Sequence, residues 1–208
     1  PSSMGTDADI NLLNAIIVSS TEESRGKGVL AVLNNQIHTG RDVVKMSTLR
    51  VETFWPNQWG FLGYIDSDLK VIFHRSPVKK HTQFSEFNVD NLDNLPRVDI
   101  TPTYVGADET LINAAVGAEA EGLIIAGMGN GLIPPAVEEA AIKAAKKGLI
   151  VVRASRSPTG RVLNSPKSLK LGLLSADDLI PQKARVLLML ALTVTRDPSR
   201  IQKMFQEY

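Results

Sequence analysis

Apolar residues recur along the chain in two rhythms, and the change between them divides it. From about Asp9 to Ser20 they fall at helical spacing, with Ile10, Leu13 and Ile17 on one stripe and Asp7 or Asp9 placed to cap the first turn. Ser24–Gly28 breaks that helix. Val29–Leu33 is then a continuous apolar run of strand length, the pattern of a strand covered on both faces in a parallel sheet, and Asn34-Asn35 turns it. Gln36–Thr39 and Arg41–Lys45 follow as short extended pieces on either side of Gly40. Between Phe61 and Phe73 the positions Tyr64, Ile65, Val71 and Phe73 alternate around Asp66-Ser67-Asp68, which predicts a hairpin.

Periodicity then fades. Arg75 to Pro96 holds Ser-Pro, charged pairs and a polar stretch rich in Asn and Asp, the composition of a connection between domains. Beyond it strands and helices alternate. Strands are predicted over Val98–Thr103, Gly122–Ala126 and Leu149–Arg153, and helices over Asp108–Ala118 and Ala136–Lys147. That alternation implies βαβ crossovers and a short parallel sheet. Two helices close the chain, one from Pro181 to about Thr195 and one from Asp197-Pro198 to Tyr208, each with Pro in its first turn.

Composition narrows the function classes more than it names one. With 23 Lys and Arg against 22 Asp and Glu, there is no net field to draw nucleic acid or an anionic membrane. Hydrophobic residues at 43% and charged residues at 22% describe a folded chain rather than a disordered one. Absence of cysteine removes disulfides, thiolate nucleophiles and zinc-cysteine sites. Val186–Val194 is too short to span a bilayer and reads as a buried helix. The chain starts at Pro1 without an initiator Met or a signal-peptide pattern, in a loop-like segment, so residues upstream of it are expected.

Few residues suggest chemistry by themselves. Gly127–Gly131 lies between a strand and a helix, where α/β proteins bring backbone N–H groups to ligands. It lacks the third glycine of the dinucleotide fingerprint and the acidic residue at the end of the next strand, so a tight strand-to-helix turn is the better reading. Lys45 follows two valines at a strand end, where partial desolvation would lower its pKa toward that of a general base; a solvated lysine is the competing account. His38, His74 and His81 share no metal-ligand spacing and read as scattered loop or surface residues. Arg153–Gly160, at the end of a predicted strand, either binds an anion or pairs with carboxylates to position a loop.

Taken in order, several segments resemble the type II L-asparaginases and glutaminase-asparaginases: Asn11–Ala15, Arg25–Leu30, Gly40–Lys45, Gly60–Gly63, Arg75, Lys80–Thr82, Gly127–Gly131, Val152–Arg156 and Pro181–Leu188. The resemblance runs from Pro1 to Tyr208. It implies an α/β protein made of a larger flavodoxin-like domain and a smaller C-terminal α/β domain with a short parallel sheet. On that basis residues 1–74 are the second part of the large domain, 75–96 the connector and 97–208 the small domain.

The same resemblance implies hydrolysis of the side-chain amide of L-asparagine, or of L-glutamine, to the acid and ammonia. Neither a cofactor nor a metal is required. The family's assembly is a homotetramer built from dimers, with sites between paired subunits, and its type II members are periplasmic or secreted; the residues do not exclude the cytoplasm. Of its Thr-Asp-Lys proton-transfer group, only the lysine maps onto this sequence, at Lys45. The nucleophilic threonine belongs to motifs that do not occur here, so the 208 residues alone are expected to be inactive unless an N-terminal piece completes them.

Asn130, Gly131 and Leu132 correspond to the loop that the small domain turns toward a neighbouring subunit's site. Leu132 stands where the family has a small polar residue, and Lys167 approximately where it has an acidic one. Both changes remove an acceptor for a substrate ammonium group and predict weaker binding of asparagine and glutamine. They also favour the competing account of a non-catalytic, asparaginase-like protein that binds an amino acid or serves as a structural subunit.

Overall fold

Two stretches of chain each collect their own core in the computed structural model, which describes residues 4–208. One unit runs through Phe84 and the other from Ser85 to Tyr208.

In the first unit, helix α1 (Ala8–Ser20) begins after Asp7, whose carboxylate accepts a hydrogen bond from the Asn11 side chain at 2.7 Å. Asp7 makes no side-chain bond to the helix backbone, so neither predicted cap residue is seen working as one. Strands β1 (Leu30–Leu33), β2 (Gln36–Thr39), β5 (Gly63–Ile65) and β6 (Val71–Phe73) form an antiparallel sheet in the order β1-β2-β5-β6. Between β2 and β5 in the chain, β3 (Val44–Lys45) and β4 (Phe54–Trp55) make a separate antiparallel pair.

The hairpin at Asp66–Asp68 is present as predicted, joining β5 to β6. The parallel reading of Val29–Leu33 is not. Among the described residues β1 pairs with β2 alone, in antiparallel register from Leu30↔Thr39 to Leu33↔Gln36, and its four residues are half-buried. The reason lies in Asn34 and Asn35, with φ of 50° and 58°. Two consecutive left-handed residues make the tight two-residue turn whose twist matches paired antiparallel strands. Val18, Ile37 and Ile65 are the buried centre of this unit.

The second unit is a sheet clad on both faces. Strands β7 (Val98–Pro102), β8 (Gly122–Gly127), β9 (Ile150–Ser155) and β10 (Leu173–Ser175) are all parallel, in the order β10-β9-β8-β7. Side chains alternate across a strand, so each strand feeds two cores. Leu123, Ile125 and Val151 pack with helices α2 (Thr110–Gly117) and α3 (Pro135–Lys146). Ile124, Val152 and Leu174 pack with α5 (Pro181–Val194) and α6 (Pro198–Glu207). Burial on both faces explains why β8 and β9 read as unbroken apolar runs.

Strand β10 and the short helix α4 (Pro166–Lys170) were not predicted. β10 has three residues and lies at the edge of the sheet, too short for a period to show. Gln202 of α6 finishes that edge: its Oε1 accepts from Ser175 N at 2.8 Å and its Nε2 donates to Ser175 O at 3.2 Å. The α6 start matches expectation, with the Asp197 carboxylate accepting from Ser199 N and Arg200 N.

Candidate functional site

Lys45 is positioned by a chain of local bonds. Thr39, at the end of the buried strand β2, accepts on its backbone carbonyl from Asp42 N and Val43 N, both at 3.1 Å, and on its hydroxyl from Arg41 N. Arg41 and Asp42 pair at 2.9 Å, with 20% and 15% of their side chains exposed. This knot turns the chain out of β2 and into β3, where Lys45 lies opposite Phe54. Its Nζ sits 5.6 Å from the centre of the Phe54 ring, a cation–π contact. The side chain is exposed, so the desolvated lysine suggested by Val43-Val44 gives way to a solvated one resting on an aromatic face.

In the second unit, the segment after β8 folds back on itself. Met128 and Leu132 exchange both backbone hydrogen bonds, at 2.9 and 2.8 Å. The glycines serve that turn. Gly131 has φ of +70°, and a Cβ on it would stand 2.7 Å from Val162 Cγ1; one on Gly127 would stand 2.7 Å from the Leu132 carbonyl oxygen. Their role is steric, as the reading of a tight strand-to-helix turn expects.

Asn130 is exposed, and its Oδ1 accepts from Leu163 N at 2.6 Å, tying the loop after β8 to the one after β9. Gly131 is buried and Leu132 exposed. Leu163, which sequence reasoning passed over, is thus held beside the predicted loop; only a tertiary bond puts it there, and nothing in the local pattern marks it. Lys167 lies in the first turn of α4, exposed, behind Ser165, whose hydroxyl accepts from Ser168 N.

Arg153 positions a loop, as one of its two readings expects, through a partner other than a carboxylate. Among the described residues it donates to no carboxylate; its guanidinium donates to the Leu163 carbonyl at 3.3 Å, so it positions the loop through backbone. Its Nε is buried without a hydrogen-bond partner, and burial lowers the guanidinium pKa against a smaller opposing pull from Glu138. Asp177, after β10, is buried and paired with Arg161.

The histidines do not assemble into a metal centre, and no cluster of three ligand-type side chains occurs among the described residues. The surface reading fails for one of them. His38 is 1% exposed in β2, with neither ring nitrogen hydrogen-bonded and Phe61 at 6.4 Å as its edge-on neighbour. Burial holds its imidazole below the usual value. His74 and His81 stand apart from it, stacked on Tyr64 and beside Thr82.

No helix among the described residues is long and apolar enough to cross a membrane. Comparison with known proteins places the geometry in context. Residues 97–205 match the glutaminase/asparaginase C-terminal domain, and residues 1–79 match the asparaginase N-terminal family. The chain is 43% identical to L-asparaginase 2 of Bacillus subtilis over 205 residues, covering 99% of this chain and 54% of that protein. It is 41% identical to L-asparaginase 2 of Escherichia coli over 208 residues, covering 99% and 60%. With the probable periplasmic L-asparaginase of Haemophilus influenzae the identity is 44% over 204 residues, covering 97% and 58%. The chain therefore spans between half and two thirds of the length of these curated relatives. Both matched regions follow one another in the family's order, and the chain belongs to the glutaminase/asparaginase family.

Proposed function

We propose that the whole protein is an amidohydrolase that cleaves the side-chain amide of L-asparagine, with L-glutamine as a second substrate, to the acid and ammonia. The observation that carries this reading is the match of the two family regions in sequence, together with relatives named L-asparaginase and glutaminase-asparaginase. In this reading a threonine outside these residues attacks the amide carbon. Lys45 accepts or relays its proton, and the leaving nitrogen departs as ammonia. A solvated lysine on a strand end has the reach and the freedom to do so once a substrate excludes water around it.

Asn130, Gly131 and Leu132 line a neighbouring subunit's site in the same reading, within a homotetramer built from dimers. The Asn130–Leu163 bond supports it by fixing that loop. The Haemophilus relative is named periplasmic, and we assign the same compartment or secretion here. Domain limits at residues 74 and 97 go with this assignment.

An ammonia-release assay on the whole protein tests the proposal, with Lys45→Met as the control. General acid–base groups contribute about 100- to 10,000-fold, so the substitution is expected to lower kcat/KM by at least about 100-fold. An unchanged rate removes Lys45 from the mechanism.

Leu132 and Lys167 support a second reading, a protein that binds an amino acid without turning it over. Calorimetric titration with asparagine and aspartate separates the two: binding without ammonia release supports this second account.

A further inference from the structure

The ribbon that carries Lys45 is a sheet of its own. Among the described residues β3 and β4 pair only with each other, Val44 opposite Trp55 and Lys45 opposite Phe54. Directly opposed residues of an antiparallel pair share a face, so Lys45 and Phe54 lie on one side of the ribbon and Val44 and Trp55 on the other. Past the lysine, Met46 N donates to the Thr53 carbonyl at 2.7 Å and the Thr53 hydroxyl donates to the Ser47 carbonyl. Backbone on both sides of Lys45 is therefore held.

The side chain is held differently. Lys45 Nζ lies 5.6 Å from the centre of the Phe54 ring, and among the described residues it makes no hydrogen bond and no ion pair. Lys27 supplies the contrast: its Nζ lies 4.7 Å from the Phe73 ring and also donates to the Ser76 hydroxyl at 3.1 Å. An ammonium anchored by a hydrogen bond spends a donor on its anchor. A ring face attracts it through the quadrupole and leaves every N–H group for other partners. Phe54 is half-buried and Lys45 exposed, so the ring is the fixed member and the lysine the mobile one. A seat of this kind narrows the rotamers of a long side chain, which is the cost a proton-transfer group must otherwise meet at each turnover.

We infer that Phe54 is a positioning residue, its ring seating Lys45 Nζ at the end of β3 with its donors unspent. The inference rests on the reading of Lys45 as the proton-transfer residue. Phe54 acts through Lys45 alone and adds no chemical step.

The test measures ammonia release by the whole protein for the wild type, Lys45→Met, Phe54→Leu, Phe54→Met, Phe54→Tyr and the double variant Lys45→Met with Phe54→Leu. The two aliphatic replacements fill space without a ring face. Each should lower kcat by about two- to fivefold, the rate equivalent of an exposed cation–π contact, with KM nearly unchanged. Phe54→Tyr restores the face and should recover most of that loss. In the Lys45→Met background, Phe54→Leu should cost nothing further, because the seat then has no cation to hold. Melting midpoints identify any variant that fails to fold, and either aliphatic replacement suffices for the comparison. An equal loss in both backgrounds, a loss confined to KM, or a Tyr variant no faster than the aliphatic ones overturns the inference and makes Phe54 a packing residue. Phe54→Leu at the wild-type rate beside a slow Lys45→Met overturns the inference and leaves the amidohydrolase reading in place. Lys45→Met at the wild-type rate overturns both the inference and the role of Lys45.

Discussion

The two units solve the same problem of covering a sheet with different completeness. From Ser85 onward, α2 and α3 bury one face of the parallel sheet and α5 and α6 the other, so Leu123, Ile124, Ile125, Val151 and Val152 are all fully inaccessible. Through Phe84, α1 buries Asn14 and Val18 but leaves Leu12 63% and Ile16 57% exposed, with Ile10 and Leu13 exposed beside them. β1 is an edge strand of its sheet. An apolar stripe next to an open edge is the surface that folded domains ordinarily cover. Autonomy in this chain therefore resides in its second part.

Separating the units should produce the largest effect. Residues 85–208 expressed alone are expected to unfold cooperatively in denaturant, with their slowest-exchanging amides in β8 and β9. Residues 1–84 alone should show weak protection and dye-binding apolar surface. Equal cooperativity in both fragments would erase the comparison.

Single truncations sharpen it at a smaller scale. Ile124→Ala should cost about 2–5 kcal/mol, because it opens a cavity between β8 and α5. Leu12→Ala, on the exposed stripe of α1, should stay within about 0.5 kcal/mol. Urea midpoints of the two variants in the 208-residue chain measure the difference.

The smallest expected effect is titratable. Burial lowers the His38 pKa below its usual 6.5, so the folded first unit takes up a proton less readily than the unfolded chain. Its neutral form is favoured on folding. Stability is therefore full above about pH 6.5 and declines as the pH falls from there toward the folded-state pKa. Denaturant midpoints of the first unit's signals, followed from about pH 8 to about pH 5, should show that decline. In His38→Leu the slope should be shallower.

Legibility in the sequence followed burial. β8 and β9 could be read because strands covered on both faces are apolar over most of their length, and Gly122 and the Gly127–Gly131 turn punctuate β8. The identical logic misread Val29–Leu33, since an apolar run states how deeply a strand is buried and nothing about the direction of its partner. Asn34-Asn35 held the missing information, because asparagine tolerates the left-handed region that a hairpin turn needs. β10 was invisible at three residues.

The candidate site divides similarly. Lys45 and the 130–132 loop are candidates by resemblance alone. The exposure of Lys45 on Phe54, the Asn130–Leu163 bond and the buried, unpartnered His38 depend on residues far apart in the sequence, and no local pattern encodes them.

Gln202 carries one more consequence. A strand at the rim of a sheet offers a free peptide group on which another chain can template itself. At Ser175 that group is already satisfied, N–H and carbonyl both, by one side-chain amide that imitates the peptide of an absent neighbour. Helix α6 thus plugs the β10 end of the sheet at Ser175 as a terminator plugs a polymer, and Gln202→Ala would free that peptide group for strand addition.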